Sequence, residues 1–245
     1  MIQLKNMMEN GEWEFMSNTS KGRGEKGSKF WMQTLVNLHN GIELTKEIQM
    51  RDNTIGDIKW ISPLEKEDYT EYKLNSIKIA DLLGIDKKDM DFWPSGQPQW
   101  DAIGFCENSS NKKTIILVEA KAHVDEMNSS CTAKSDKSKE LIEKTLRETY
   151  ENLNQNKDKE FNKKIWTETY YQLGNRLAFL YELKKKGYDV RLVLLNIIND
   201  PTFILTSEEE WKEHYKEVFI KLIGTDKVPE DVVILNLEIL MEWRR

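Results

Sequence analysis

The segment from Thr114 to Lys121 has the sequence Thr-Ile-Ile-Leu-Val-Glu-Ala-Lys, in which a run of large apolar residues ends in charged ones. Residues 115 to 118 are continuously apolar and rich in β-branched side chains, which is typical of a strand covered on both faces of a sheet. A strand buried in this way predicts a layered α/β fold, with helices flanking a mixed central sheet. The charged end of the strand should then emerge at the rim of that sheet.

A second strand and a turn precede this segment. Residues 100 to 106 alternate well enough to form a neighbouring strand, and residues 107 to 113, Glu-Asn-Ser-Ser-Asn-Lys-Lys, are strongly turn-like. If the resulting hairpin is symmetric about Ser110, the numbers of opposed residues sum to about 220. This register places the Asp101 carboxylate directly across from the Glu119 carboxylate.

Three polar groups therefore belong to one small patch. Lys121 lies two residues after Glu119 and shares its face, whereas Ala120 points away and leaves its carbonyl at the rim. Two carboxylates a few ångströms apart repel by about 1 to 4 kcal/mol unless a cation lies between them. A hard divalent ion such as Mg²⁺ takes oxygen ligands and suits such a pair.

An Asp, a hairpin turn and a Glu-x-Lys sequence at the end of an apolar strand resemble the PD-(D/E)xK phosphodiesterase superfamily, which includes most restriction endonucleases and many repair and phage nucleases. The resemblance covers about residues 62 to 200, although Pro98-Gln99-Trp100-Asp101 departs from the literal Pro-Asp pair. It implies a restriction-endonuclease-like core of helix, three strands, helix and strand. It also implies a Mg²⁺-dependent nuclease, more an endonuclease than an exonuclease, that acts on DNA, with Mn²⁺ expected to substitute.

The resemblance assigns roles to the residues of the patch. Asp101 and Glu119 would hold the metal, with the Ala120 carbonyl as a further ligand. Lys121 would position or help deprotonate the attacking water, or stabilise the charge that develops on the phosphate.

Members of the resembled family often add residues from two helices. Glu71 is our first choice for an additional acidic metal ligand, and Asp68 is the alternative. Gln172 and Arg176 lie four residues apart on a predicted helix and share a face, so both are candidates for binding substrate. An arginine suits a bidentate phosphate contact. The alternative for Arg176 is an ion pair with an acid such as Glu168.

The patch also has simpler interpretations. Asp101 could be a strand-end residue that is hydrogen-bonded to the turn, and Glu119 with Lys121 could form a surface ion pair worth about 0 to 1 kcal/mol. The protein would then be a nucleic-acid-binding or interaction module that keeps the fold without catalysis, or an unrelated α/β protein.

Periodicity and capping signals predict the remaining elements. The core elements are a helix from the capping-box pattern at Ser62 to Gly84, a short strand at 90–93, the hairpin, a solvated helix at 135–154, a long helix at 161–186 and a strand at 188–198. The flanking elements are a helix at 29–40, strands at 44–50 and 55–61, a helix at 208–223 introduced by Ser207 and Glu210, and a strand at 232–240.

Composition limits the class of protein. Residues 1–28 are polar and glycine-rich, which indicates a mobile segment, and residues 29–245 are expected to form a single nuclease-like domain. A net charge of −6 and a pI near 5.4 argue against a simple electrostatic nucleic-acid binder, although bound metal would neutralise the carboxylates. Two cysteines and the absence of a long apolar run favour a cytoplasmic protein without a membrane partner. A homodimer is expected only by analogy, because cutting two strands commonly uses two sites.

Overall fold

The computed structural model describes residues 2–3, 22–154, 156 and 159–240, and its main feature is one mixed sheet with helices on both faces. The strands are β1 (Ile2–Gln3), β2 (Lys59–Ser62), β3 (Ala102–Glu107), β4 (Lys113–Lys121), β5 (Asp189–Ile198) and β6 (Val232–Leu240). The α-helices are α1 (Gly27–Asn37), α2 (Ile42–Gln49), α3 (Ile77–Leu83), α4 (Asp136–Leu153), α5 (Tyr171–Lys185) and α6 (Glu208–Ile223). This architecture confirms the predicted α/β class.

The order of strands across the sheet is β1-β6-β5-β4-β3-β2. The pairs β2–β3 and β3–β4 are antiparallel, whereas β4–β5, β5–β6 and β6–β1 are parallel. Strand β4 lies inside the sheet and is paired along both edges, which agrees with its unbroken apolar run.

The two faces of β4 enter two separate hydrophobic clusters. Ile115 and Leu117 pack into the cluster that contains residues of α3, α4, α5 and α6, whereas Ile116 and Val118 pack into the cluster that contains α1 and α2. Alternate side chains of a strand point to opposite faces, so Glu119 and Lys121 continue the face that is covered by α5.

The predicted hairpin register is confirmed. Ala102 pairs with Val118 and Ile103 with Leu117, and each pair of residue numbers sums to 220. The turn between the strands is closed by the side chain of Asn108, whose Oδ1 accepts the backbone N–H of Ser110 at 3.0 Å.

The predicted helix from Ser62 to Gly84 is wrong except for its last part, which forms α3. Asp68 and Tyr69 have φ angles of 53° and 52°, a left-handed conformation that a right-handed helix cannot contain. The apparent capping box also fails, because the backbone N–H of Glu65 donates to Asn37 Oδ1 at 2.8 Å and not to the side chain of Ser62.

Other boundaries were mispredicted for local reasons. The predicted strand at 44–50 is helix α2, whose buried residues Leu44, Thr45 and Ile48 have helical spacing. The predicted strand at 90–93 is also wrong, because this stretch contains the end of a 3₁₀ turn, Lys87–Met90. The strand predicted at 55–61 is only in part correct, since β2 begins at Lys59.

The long helix predicted at 161–186 is interrupted. A π-helical turn at Ile165–Thr169 precedes Tyr170, whose φ of −119° and ψ of 39° are not helical, and α5 starts after it. The helix α6 begins as predicted, since Ser207 Oγ accepts the N–H of Glu210 at 3.2 Å and Glu210 Oε2 accepts the N–H of Ser207 at 2.7 Å.

The predicted mobile segment, residues 1–28, lies largely outside the described residues. Residues 22–28 are described and are held in place next to the rest of the domain. The Gly24 N–H donates to Gln33 Oε1 at 2.6 Å, and helix α1 starts at Gly27. None of the helices in the described ranges combines the length and the apolarity that crossing a membrane requires.

We expect Gly104→Ala to destabilise the sheet. A Cβ at Gly104 would lie 2.6 Å from Ile58 Cγ2 and 3.3 Å from the backbone oxygen of Lys59. Relieving such overpacking typically costs about 1 to 3 kcal/mol, which urea unfolding would measure as a loss of unfolding free energy. Gly96→Ala is the matched control, because nothing lies within 4 Å of its new Cβ. Equal stability of the two variants would contradict the packing argument.

Candidate functional site

The predicted polar patch lies where β4 extends past the start of β3. Strand β3 begins at Ala102, so Asp101 is the first residue outside it, while β4 continues to Lys121. On this stretch β4 keeps β5 as a neighbour, and Lys121 pairs in register with Asn196. The side chains of Glu119 and Lys121 therefore project from the sheet toward α5.

Glu119 is buried, with 4% of its side chain exposed. Its Oε1 accepts a hydrogen bond from Lys121 Nζ at 2.5 Å. Its Oε2 accepts a hydrogen bond from Arg176 Nε at 2.6 Å, and Arg176 Nη2 lies within salt-bridge distance of the same oxygen, also at 2.6 Å. Each carboxylate oxygen thus has a cationic partner, and the simpler interpretation as a surface ion pair does not describe this buried cluster.

Arg176 enters the cluster from α5 with only 2% of its side chain exposed. Its Nη1 donates to Asn175 Oδ1 at 3.0 Å, and its Nη2 donates to the backbone carbonyl of Gln99 at 2.7 Å. The guanidinium carbon also lies 4.4 Å from the ring centroid of Trp100. The ion-pair partner of this arginine is Glu119, and not Glu168 as the alternative interpretation has it.

Asp101 is only partly buried and faces the end of β4. Its Oδ2 accepts the backbone N–H of Ala120 at 2.7 Å, and its other carboxylate oxygen has no hydrogen-bond partner within the described chain. The N–H and C=O of one strand residue point to the same neighbouring strand, so the Ala120 carbonyl is directed to the side of Asp101.

Glu71 approaches the cluster through the backbone that precedes β3. The Trp100 N–H donates to the carbonyl of Tyr72 at 3.1 Å, and Gln99 Nε2 donates to the carbonyl of Glu71 at 3.3 Å. Asp68, the alternative acidic residue, is exposed to solvent. Glu71, in contrast, interacts electrostatically with Glu119.

The carboxylates of the cluster differ in their protonation. Burial, followed by the negative charge of Glu119, raises the pKa of Asp101 to about 7. Burial would likewise raise the pKa of Glu119, but the charges of Arg176 and Lys121 outweigh it and hold that pKa below its usual value.

Two more groups complete the electrostatics of the cluster. Burial raises the pKa of Glu71, with a further contribution from the charge of Glu119 and opposition from Lys29. For Lys121, burial alone would lower the pKa, but Glu119 and Asp101 raise it above the usual value, so the side chain is a stable ammonium ion.

Gln172 lies one helical turn before Arg176 on α5. Its backbone N–H donates to Ser129 Oγ at 2.8 Å, but its side-chain amide forms no hydrogen bond with the cluster in the described residues. Its role as a substrate contact stays a prediction.

The functional-site residues that the sequence did not predict are the partners of Arg176, namely Asn175, Gln99 and Trp100. A buried arginine in an apolar helix requires a buried acceptor, which was the available signal.

The oxygen atoms around Asp101 fit a hard divalent cation. The free Asp101 oxygen, the Ala120 carbonyl and the Glu71 carboxylate are donors of the kind that Mg²⁺ accepts together with water. Burial and the charge of Glu119 raise the pKa values of Asp101 and Glu71, so a cation bound beside them would favour their ionised forms. Among the described residues, no group of three or more His, Cys, Asp or Glu side chains forms a ready-made metal cage, so a cation here would rely on the backbone carbonyl and on water.

We expect Asp101→Asn to change how stability depends on pH in metal-free buffer. Between about pH 4 and pH 7 the folded protein retains a proton on Asp101 that the unfolded chain has released, so wild-type stability falls as the pH rises through this range. The variant has no proton to lose, and its asparagine oxygen can still accept the Ala120 N–H. Its stability relative to wild type should rise by about 1 to 3 kcal/mol from pH 4 to pH 8.

Urea unfolding in EDTA at several pH values measures this difference. A difference between the two proteins that does not vary with pH would contradict the raised pKa. A variant that is less stable at every pH would instead favour the simpler role of Asp101 as a hydrogen-bonded strand-end residue.

Comparisons of the chain with profiles of known protein families, with curated proteins and with solved structures gave no significant match. The α/β class with a mixed sheet flanked by helices rests on the structure itself.

Proposed function

We propose that this protein is a metal-dependent nuclease that hydrolyses phosphodiester bonds in DNA, with Mg²⁺ as the cation. The observation that carries the proposal is the hairpin register, which brings Asp101, Glu119 and Lys121 together on one face at the end of a buried strand. Two carboxylates and an ammonium ion in this arrangement are what the resemblance to the PD-(D/E)xK superfamily implies.

The order of elements supports the same proposal. Helices α1 and α2 precede three antiparallel strands, β2, β3 and β4, and helices α4 and α5 lead to the parallel strand β5. The later part of this order, the β3–β4 hairpin followed by helices and a parallel strand, agrees with what the resemblance implies. The start differs from the expected core, because α3 lies between β2 and β3.

The residues of the cluster would have different roles in hydrolysis. Mg²⁺, when bound, supplies polarisation of the phosphate and acidifies a water molecule. Asp101, Glu119, the Ala120 carbonyl and Glu71 would hold the cation. Glu119 also holds Lys121 at 2.5 Å, so that its ammonium group is fixed next to the metal ligands.

The protonation of Lys121 selects between its two expected roles. Its pKa lies above the usual value because the interactions with Glu119 and Asp101 outweigh burial, so it is a poor general base. A fixed ammonium ion with 12% of its side chain exposed is suited to stabilise the negative charge that develops on the phosphate and to orient the attacking water.

One observation favours a second candidate, a nucleic-acid-binding module without catalysis. Both oxygens of Glu119 already have cationic partners, Lys121 and Arg176, so this carboxylate is satisfied without a metal. Asp101 and Glu71 form no salt-bridge contact within the described residues, although the charges of Lys121 and Lys29 act on them, which is why we place the catalytic proposal first.

The proposed activity is tested by incubating the purified protein with supercoiled DNA, linear duplex DNA, single-stranded DNA and RNA. We expect Mg²⁺- or Mn²⁺-dependent cleavage of DNA at pH 8, where the Asp101 carboxylate is ionised, and no cleavage in EDTA. Binding of any of these substrates without cleavage in either metal would support the non-catalytic module. Efficient cleavage in EDTA would exclude the metal-dependent mechanism. The predicted homodimer can be measured in the same samples by light scattering.

We expect Lys121→Ala to lower the rate of cleavage by about 100-fold or more, because a charge that stabilises the transition state is lost. Glu119 keeps its contact with Arg176 in this variant, so the fold and metal binding should be nearly unchanged. Lys112→Ala is the matched control, since Lys112 is exposed in the hairpin turn. Wild-type cleavage rates for the Lys121 variant would exclude a role in the reaction.

A further inference from the structure

Arg176 is the cluster residue that the proposed hydrolysis does not use. Its side chain is 2% exposed, less than those of Glu119 and Lys121, and it contacts one oxygen of Glu119 through a hydrogen bond from Nε and a salt-bridge contact from Nη2, both at 2.6 Å. The contact is strong for its kind, because a hydrogen bond between an ionised donor and an ionised acceptor is shorter and stronger than one between neutral groups.

The position of Arg176 is fixed by groups other than Glu119. Asn175 Oδ1 and the carbonyl of Gln99 accept hydrogen bonds from its terminal nitrogens, and its guanidinium carbon lies over the Trp100 ring. These contacts come from α5 and from the segment before β3. They keep the positive charge in place even when the Glu119 carboxylate changes partner.

A divalent cation bound in the cluster would lie close to the positive charge of Arg176. A divalent cation could bind Glu119 Oε2 only by displacing or crowding the guanidinium that lies 2.6 Å from that oxygen, and the guanidinium would repel a nearby cation in a site with little solvent. The remaining donors, on Asp101, Glu71 and Ala120, carry the negative charge that attracts a cation.

We propose that Arg176 is a resident counter-ion that competes with the divalent cation for the Glu119 carboxylate and thereby lowers the metal affinity of the site. The inference rests on the proposed function, since it concerns the same metal. It assigns Arg176 as a positioning residue and not as a phosphate ligand. By thermodynamic reciprocity, metal binding weakens the Arg176–Glu119 contact by the same factor by which Arg176 weakens metal binding.

The test is the affinity for Mn²⁺ in the absence of nucleic acid, measured by titration calorimetry or by electron paramagnetic resonance at pH 8. Arg176→Met removes the charge and retains most of the length of the side chain. We expect it to bind Mn²⁺ at least about tenfold more tightly than wild type, even though the metal-free variant melts at a lower temperature. Arg176→Lys keeps the charge, and its affinity should stay within about threefold of wild type.

Arg191→Met is the matched control. Arg191 is also a partly buried arginine with carboxylate partners, Asp189 at 2.6 Å and Asp52 at 3.0 Å, but it lies near the opposite end of β5. This variant should lose stability without any change in Mn²⁺ affinity. A purely structural role predicts that the Arg176 variant also loses stability while its Mn²⁺ affinity is unchanged or weaker, and that result would overturn the proposal.

A second measurement uses the wild-type protein, in case the Arg176→Met variant does not fold. The Nε–H group of Arg176 can be followed by ¹⁵N nuclear magnetic resonance, and its protection from exchange should fall when Mg²⁺ binds. Full protection at saturating Mg²⁺ would overturn the inference and leave the nuclease proposal intact. If neither wild type nor any variant binds Mg²⁺ or Mn²⁺, the metal-dependent function and the competition both fail.

Discussion

The burial of β4 on both faces is the constraint on which the rest of the structure depends. Ile115 and Leu117 enter one cluster while Ile116 and Val118 enter the other, so a slip of one residue would exchange two complete sets of apolar side chains. Because β3 and β5 pair with this strand along its two edges, its register also sets theirs. The same register determines the face of the sheet from which the charged end of β4 projects, so Glu119 must point toward α5.

Local signals predicted the elements that local interactions determine. The hairpin register and the start of α6 at Ser207 both depend on residues close in sequence, and both are confirmed. The helix predicted from Ser62 does not form, because groups that are distant in sequence determine the conformation of this segment. The Glu65 N–H found a partner in Asn37, which belongs to the end of α1, and the chain turned through left-handed conformations at Asp68. A capping pattern carries no information about such competing acceptors.

The same distinction applies to the candidate site. Hairpin pairing alone was sufficient to predict that Asp101 lies beside the end of β4, although its hydrogen bond with the N–H of Ala120, 19 positions away, was not predicted. The contact between Arg176 and Glu119 joins residues 57 positions apart and depends on how α5 packs on the sheet. The sequence indicated an unusual arginine in an apolar helix, but it could not identify which of several acids would be its partner.

The stability of the metal-free protein and the binding of a cation place opposing electrostatic requirements on Glu119. A buried carboxylate without a counter-charge would destabilise the fold by several kcal/mol, and Arg176 with Lys121 removes that cost in the metal-free protein. The same neutralisation reduces the attraction of Glu119 for any further cation. Asp101 and Glu71 have no such partner among the described residues, and burial raises their pKa values. The carboxylate oxygen that remains open to a further cation therefore belongs to Asp101, on the side to which the Ala120 carbonyl is also directed.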